Sequence, residues 1–273
     1  MGTQELQEVR EQRPQKLNVK TDRIAKKVSV RWRGEIIAES TDVLLLHERG
    51  QLPVYYFPAG DVRNDLLTAS DRKSFFPLKG EASYWSLQLG DEISENAAWS
   101  YEHPIPGRED IAGYYAFYWN AVDGWYEEEE EIFVHARDPY KRIDALRSSR
   151  HIEIYLNGVK LADSTRPVIL FETGVPVRYY LPEDDLNTAL LEFSDSKTAC
   201  PYKGHASYRS VRIHDELHKD LVWTYASPIA EIPQIAGLFS FYNERVEIFV
   251  DGKRQPKQAW YRSALDFFNE NEI

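Results

Sequence analysis

The chain of 273 residues has one cysteine, Cys200, and one methionine. A single cysteine excludes an intrachain disulfide, and it excludes the three- and four-cysteine zinc sites that need several thiolates around one ion. Long apolar runs are missing as well. No stretch approaches the ~18 residues of a spanning helix, and no early segment has the form of a secretory leader, so a cytoplasmic setting with no membrane partner is expected. Positive charge is in short supply, with 33 Lys and Arg against 44 Asp and Glu for a net charge of −11. No basic stripe is available to neutralise phosphates, so nucleic acid is not an expected partner. The densest basic run, Lys141-Arg142 followed by Arg147 and Arg150, is expected to be a solvated linker.

Several motifs are also absent. There is no phosphate loop, no Gly-x-Gly-x-x-Gly turn and no Gly-x-Ser-x-Gly elbow. His214 and His218 are four apart but fall on an expected strand and turn, where that spacing does not build the metal-binding face it builds on a helix. Neither a metal nor an organic cofactor is expected.

Aromatic side chains are plentiful: 7 Trp, 17 Tyr and 12 Phe. Large flat side chains suit a pleated, half-buried surface, so the composition points to strands. The clearest pattern is an internal repeat. Pro201-Tyr202-Lys203-Gly204-His205-Ala206-Ser207-Tyr208-Arg209-Ser210 has a twin 124 residues earlier, Pro77-Leu78-Lys79-Gly80-Glu81-Ala82-Ser83-Tyr84-Trp85-Ser86. With Gly34 set against Gly158, the register runs without a gap to Val122 against Val246, and 35 of those 89 positions are identical. A gapless register of that length means duplication.

Each copy carries the same parts: an acidic-ended apolar strand (Leu44 to Glu48; Val168 to Glu172), a Tyr-Tyr-x-Pro segment and a short helix (Asp61 to Leu67; Asp185 to Leu191). A Ser-Asp turn, the Pro-x-Lys-Gly segment and two aromatic strands follow. The fold class expected is mainly β, with two duplicated compact β domains and one short helix in each. The boundaries expected are a flexible arm over 1–25, repeat domains over 26–137 and 151–252, a linker over 138–150, and a C-terminal segment over 253–273, helical from Gln258 to Phe268. The two repeat domains are expected to pack on each other. The acidic run Glu127 to Glu131 reads as a solvated face.

Tyr55-Tyr56-Phe57-Pro58, Cys200-Pro201-Tyr202-Lys203-Gly204, Ala98-Trp99-Ser100-Tyr101 and Trp125-Tyr126-Glu127-Glu128 resemble the domain of unknown function family numbered 427, in its two-copy form. The resemblance spans about 28–250 and implies a compact fold of the β-tent kind. It carries a nucleotidyltransferase label, but the Gly-Ser and Asp-x-Asp arrangement of those enzymes is absent here. Two departures from the family pattern stand out. Phe75-Phe76 and Ala199-Cys200 occupy the place of a His-Cys pair, and Tyr114 and Leu238 that of a histidine after Ala-Gly.

Lys79 and Lys203 lead the candidate site residues, since a Lys-Gly pair at a turn sets an ammonium beside backbone that a ligand can approach. The alternative for both is a turn lysine paired with Asp71 or Asp195. Cys200 is a candidate nucleophile or a buried filler, and Glu48, Glu172, Asp71 and Asp195 recur as candidate acid–base groups, with turn capping or pairing with arginines as the alternative; Asp71 and Asp195 also count among the candidate ligand-binding residues. Tyr84, Trp99, Tyr101 and Tyr118, with Tyr208, Trp223, Tyr225 and Tyr242, are candidate walls of an aromatic pocket, core packing being the alternative. The favoured expectation is a small polar or anionic ligand bound beside the Pro-x-Lys-Gly segment. Its rivals are an enzyme using Lys203 with Cys200 or Tyr208, and a scaffold presenting a surface to a protein partner.

Overall fold

Apolar runs and alternating runs build different strands here. In Leu44-Leu45-Leu46, Leu44 and Leu46 enter one buried cluster and Leu45 enters another, so this strand is covered on both faces. Ile152, Ile154 and Leu156 alternate with half-buried Glu153 and Tyr155, the pattern of a strand covered on one face.

A computed structural model describes residues 19–257. The chain divides after Ala136 into two units. The first contains β1 (Val19–Arg23), β2 (Val28–Trp32), β3 (Glu35–Ser40), β4 (Leu44–Glu48), β5 (Val54–Pro58), β6 (Leu67–Phe76), β7 (Gly80–Leu89), β8 (Glu92–Ser100), β9 (Tyr114–Phe117), β10 (Gly124–Glu127) and β11 (Glu130–Ile132). A seven-stranded sheet runs β1-β4-β5-β9-β8-β7-β6, and a four-stranded sheet runs β11-β10-β2-β3. One core cluster joins Val28, Val30 and Trp32 of the smaller sheet to Leu45, Phe57 and Phe117 of the larger. A second lies on the other side of the large sheet and holds Tyr56, Tyr84 and Tyr101.

The second unit repeats this plan with β12 (Ile143–Arg147), β13 (Ile152–Leu156), β14 (Val159–Ser164), β15 (Val168–Glu172), β16 (Val175–Tyr180), β17 (Leu191–Cys200), β18 (Gly204–Ile213), β19 (Glu216–Thr224), β20 (Phe239–Phe241), β21 (Glu247–Val250) and β22 (Lys253–Arg254). Its sheets are β12-β15-β16, β17-β18-β19-β20 and β14-β13-β21-β22. The first two meet through Leu181 and Phe239, whose backbones exchange two hydrogen bonds of 2.8 Å. The molecule is thus mainly β and duplicated, as the repeat implies, and neither unit closes into a barrel.

Several local expectations are corrected. Val19–Arg23, inside the expected arm, pairs antiparallel with β4, and Ile143–Arg147, inside the expected linker, pairs with β15. Both are short, and apolar and polar residues are mixed in them without a clear alternation, so periodicity alone does not mark them; the ladder offered by the neighbouring apolar strand makes them strands. The expected short helix of each unit is a pair of three-residue 3-10 turns, Ala59–Asp61 with Asn64–Leu66 and Glu183–Asp185 with Thr188–Leu190. Between them Val62 and Leu186 are extended and bridge to Ala38 and Ala162, which interrupts any helix. Asp61 and Asp185 do not cap; they accept hydrogen bonds from Ser40 Oγ (2.5 Å) and Ser164 Oγ (2.7 Å). Ser70-Asp71 and Ser194-Asp195 are bulges inside continuous strands rather than turns. The expected helix from Gln258 to Phe268 lies outside the described residues.

Candidate functional site

The Pro-x-Lys-Gly segment forms the tight turn between β6 and β7, and again between β17 and β18. Lys79 N–H donates to Phe76 C=O (3.0 Å) and Lys203 N–H to Cys200 C=O (3.1 Å), with proline at the second position, where its fixed φ suits the turn. Gly80 and Gly204 follow at φ +112° and +106°. A Cβ on Gly80 would lie 3.1 Å from Ile105 N and 3.2 Å from His103 O, and one on Gly204 would lie 3.2 Å from Ser227 O. The chain's own Pro104 and Pro228 segments, which bridge to Gly80 and Gly204, make a close approach that calls for glycine at both positions.

This lock presents the two lysines inward. Lys79 Nζ donates to Glu48 at the end of β4, and Lys203 Nζ to Glu172 at the end of β15. The carboxylate partners are these glutamates; Asp71 and Asp195 sit exposed in the bulges. The two pairs differ in burial, since the Glu48 side chain is 20% exposed and that of Glu172 only 2%. The second unit adds Lys141, expected to be a solvated linker residue, whose Nζ lies 2.8 Å from the other Glu172 oxygen. Burial pushes the Glu172 carboxyl up, but the ammonium groups of Lys203 and Lys141 outweigh it and hold the group below the usual range. Lys203 Nζ also lies 3.7 Å from Cys200 Sγ, a half-buried thiol. Lys141 Nζ stands 4.7 Å from the centre of the Tyr202 ring, and the Tyr202 oxygen accepts from Asp138 N–H at 2.6 Å. Burial pushes the Tyr202 phenol up to about 12.

Two matches tie this arrangement to known proteins. A domain of unknown function, DUF427, matches over residues 20–128 and again over 144–252. The chain belongs to this family. No curated protein matches the chain. Both DUF427 matches begin in the strand that the sequence reading left outside its repeats, β1 in one copy and β12 in the other.

In both DUF427 copies the aromatic candidates are packed. Tyr84, Tyr101, Tyr208, Trp223 and Tyr225 are buried, and Trp99 is half-buried. Trp99 Nε1 donates to the Tyr56 oxygen (3.2 Å), and Trp223 Nε1 to the Tyr180 oxygen (3.1 Å). Burial raises the phenols of Tyr101 and Tyr225, which lie close to Glu48 and Glu172 respectively. Tyr208 shares a hydrogen bond with Thr198 Oγ1 at 2.8 Å and is directed to that neighbour. Arg72 stacks 4.4 Å over Tyr84.

Sequence reasoning missed Lys141, Tyr202 and a further buried pair, Arg178 with Glu244 (2.8 and 3.1 Å), whose guanidinium lies 5.5 Å from the Trp223 ring centre. Arg178 answers to Val54 in the 124-residue register, so comparison of the copies carried that signal. Glu127, placed on a solvated face by the sequence, is buried and accepts from Tyr55 Oη (2.5 Å) and Lys26 Nζ (2.6 Å). Among the described residues one group, His151, Glu153 and Asp163, brings metal-type donor atoms together. Lys160 Nζ already sits 2.8 Å from Glu153 and 2.7 Å from Asp163, so a cation would have to displace it. A shallow open depression lies over the first bulge, lined by Thr68, Ser70, Asp71, Ser86, Gln88 and Asn96. Among the described residues no helix is long and apolar enough to cross a membrane.

Proposed function

We propose that this two-copy DUF427 protein binds a small anionic metabolite, and that the second unit is the working site. Lys141 and Lys203 supply the charge, with the Tyr202 ring beside Lys141 and the Cys200 thiol beside Lys203. The observation that supports this reading is the charge balance around Glu172. One carboxylate, almost fully buried, is shared by two ammonium groups, so among these three groups positive charge is in excess. Among the described residues of the first unit a single lysine meets Glu48, and the sequence position in register with Lys141 is a leucine, Leu17. A carboxylate or phosphate of a ligand supplies the missing negative charge without a metal ion.

The test is a thermal-shift screen of the full chain against carboxylate and phosphate metabolites, repeated on Lys79→Ala, Lys141→Ala and Lys203→Ala. A compound at a hundred times its Kd stabilises the native state by about 2.7 kcal/mol. The expected result is a rise in Tm that survives Lys79→Ala and is lost in Lys141→Ala and Lys203→Ala, each variant being read against its own unliganded Tm. A rise that survives Lys141→Ala would overturn the assignment.

The 3.7 Å contact of Cys200 Sγ with Lys203 Nζ supports a second reading. A thiol and an amine side by side are the groups of an enzyme acting on a carbonyl compound. Turnover of a stabilising compound, abolished by Cys200→Ser, would favour it over binding alone.

A further inference from the structure

We propose that Cys200 and Lys203 form a covalent modification site: hydroperoxides convert the pair into a sulfur–nitrogen cross-link. The proposal stands whether or not the neighbouring cluster binds an anion.

Four observations converge on the pair. First, the turn places the two residues together by construction, since Lys203 N–H donates to Cys200 C=O and Cys200 stands opposite Gly204 in the β17–β18 ladder. Second, the Gly204–Pro228 bridge pins the turn, and Ile229 N–H donates to Lys203 C=O at 3.1 Å, so the lysine backbone cannot swing away. Third, the side chains already touch, with Nζ 3.7 Å from Sγ, and Cys200 is half-buried rather than sealed in the core. Fourth, Glu172 touches the same Nζ and holds it in place beside the sulfur.

The chemistry balances in two steps. The Cys200 sulfur attacks one oxygen of the peroxide; the O–O bond breaks, a sulfenic acid forms and water leaves, the sulfur giving up two electrons. Lys203 gives one proton to solvent, and its free amine attacks the sulfur. The S–N bond forms, the S–O bond breaks, and the departing hydroxide takes the second nitrogen proton and leaves as water. The net change in the protein is the loss of two hydrogens. A thiol reductant reverses it by attacking the sulfur and releasing the amine. The first unit is an internal control, because it keeps the lysine, the glutamate and the locked turn but has Phe76 in place of the thiol.

The test treats the full chain with dilute hydrogen peroxide, digests it with trypsin without reductant, and reads the peptides by mass spectrometry. The expected result is a peptide containing Cys200 and Lys203 that has lost two hydrogens, with cleavage after Lys203 suppressed because its amine is bonded. Dithiothreitol should restore both, and cleavage after Lys79 should be unaffected. Lys203→Arg keeps the cation but offers no amine that can take part, so there Cys200 should gain oxygens instead. Cys200→Ser, a small change at a position where the first unit tolerates phenylalanine, should abolish the hydrogen loss. Oxygen gain on Cys200 with normal cleavage after Lys203 in the unsubstituted protein would overturn the proposal. So would a Cys200–Cys200 dimer, or hydrogen loss that persists in Lys203→Arg.

Discussion

Replacing Glu172 by glutamine is expected to destabilise the second unit by about 3–5 kcal/mol, the usual cost of leaving buried charge without its partner. The substitution keeps the shape of the side chain and removes only its charge. Lys203 and Lys141 then face each other across a neutral amide, with the Lys203 side chain 11% and that of Lys141 23% exposed. Glu48→Gln should cost less, since Glu48 meets one lysine and is ten times more exposed than Glu172. The pH dependence has a definite sign. The folded Glu172 carboxyl titrates below its ordinary value, and in the unfolded chain a glutamate titrates near ~4.3. Its contribution is therefore fully present above about pH 4.3 and drains away as pH falls toward the folded value. Urea melts of the unsubstituted protein and Glu172→Gln between pH 7 and 3 should show a stability gap that is constant at the upper end and narrows in acid. A gap that stays constant to pH 3 would mean that Glu172 is not a carboxylate held by the two lysines.

The recurring glutamates and lysines show where the sequence was readable and where it stopped. Glu48, Glu172, Lys79 and Lys203 stand out because duplication repeats them in one register, and the structure joins them in pairs. Their pairing was not readable. A carboxylate and an ammonium 31 residues apart meet only because β4 and β15 end beside the Lys-Gly turn, whereas Asp71 and Asp195 are nearer in sequence and were weighed as partners. Lys141 was hidden for a different reason. It precedes β12, a strand whose residues Ile143-Asp144-Ala145-Leu146-Arg147 are only partly apolar and only partly buried, so no periodicity announces it. The register count began at Gly34 and Gly158 and so left that strand, and the lysine before it, in what reads as a linker. Glu127 shows the limit of reading charge runs as surface. Five consecutive acids cross a hairpin, and the first of them turns inward to Tyr55 and Lys26.

Gly204→Ala is expected to cost roughly 2–6 kcal/mol, the sum of backbone strain of ~1–3 kcal/mol and a similar term for forcing a methyl against fixed backbone. The φ of +106° is one that residues with a side chain rarely adopt, and the added Cβ would meet Ser227 O at 3.2 Å. Gly80→Ala should cost at least as much, because its Cβ would meet three backbone atoms at 3.1–3.2 Å. Gly158→Ala separates the two terms. It too has a positive φ, +79°, but nothing lies within 4 Å of its Cβ, so only the strain remains and about 1 kcal/mol is expected. Thermal melts of the three variants should therefore order as Gly80 and Gly204 together, well below Gly158. The ordering distinguishes two roles for the repeated Lys-Gly pair. If glycine is there to admit a ligand, Gly204→Ala would abolish binding while leaving the melt near that of the unsubstituted protein. If glycine is there to dock the Pro228 segment, the melt falls first, and the loss in Gly80→Ala, in a unit with no second lysine at the carboxylate, is as large.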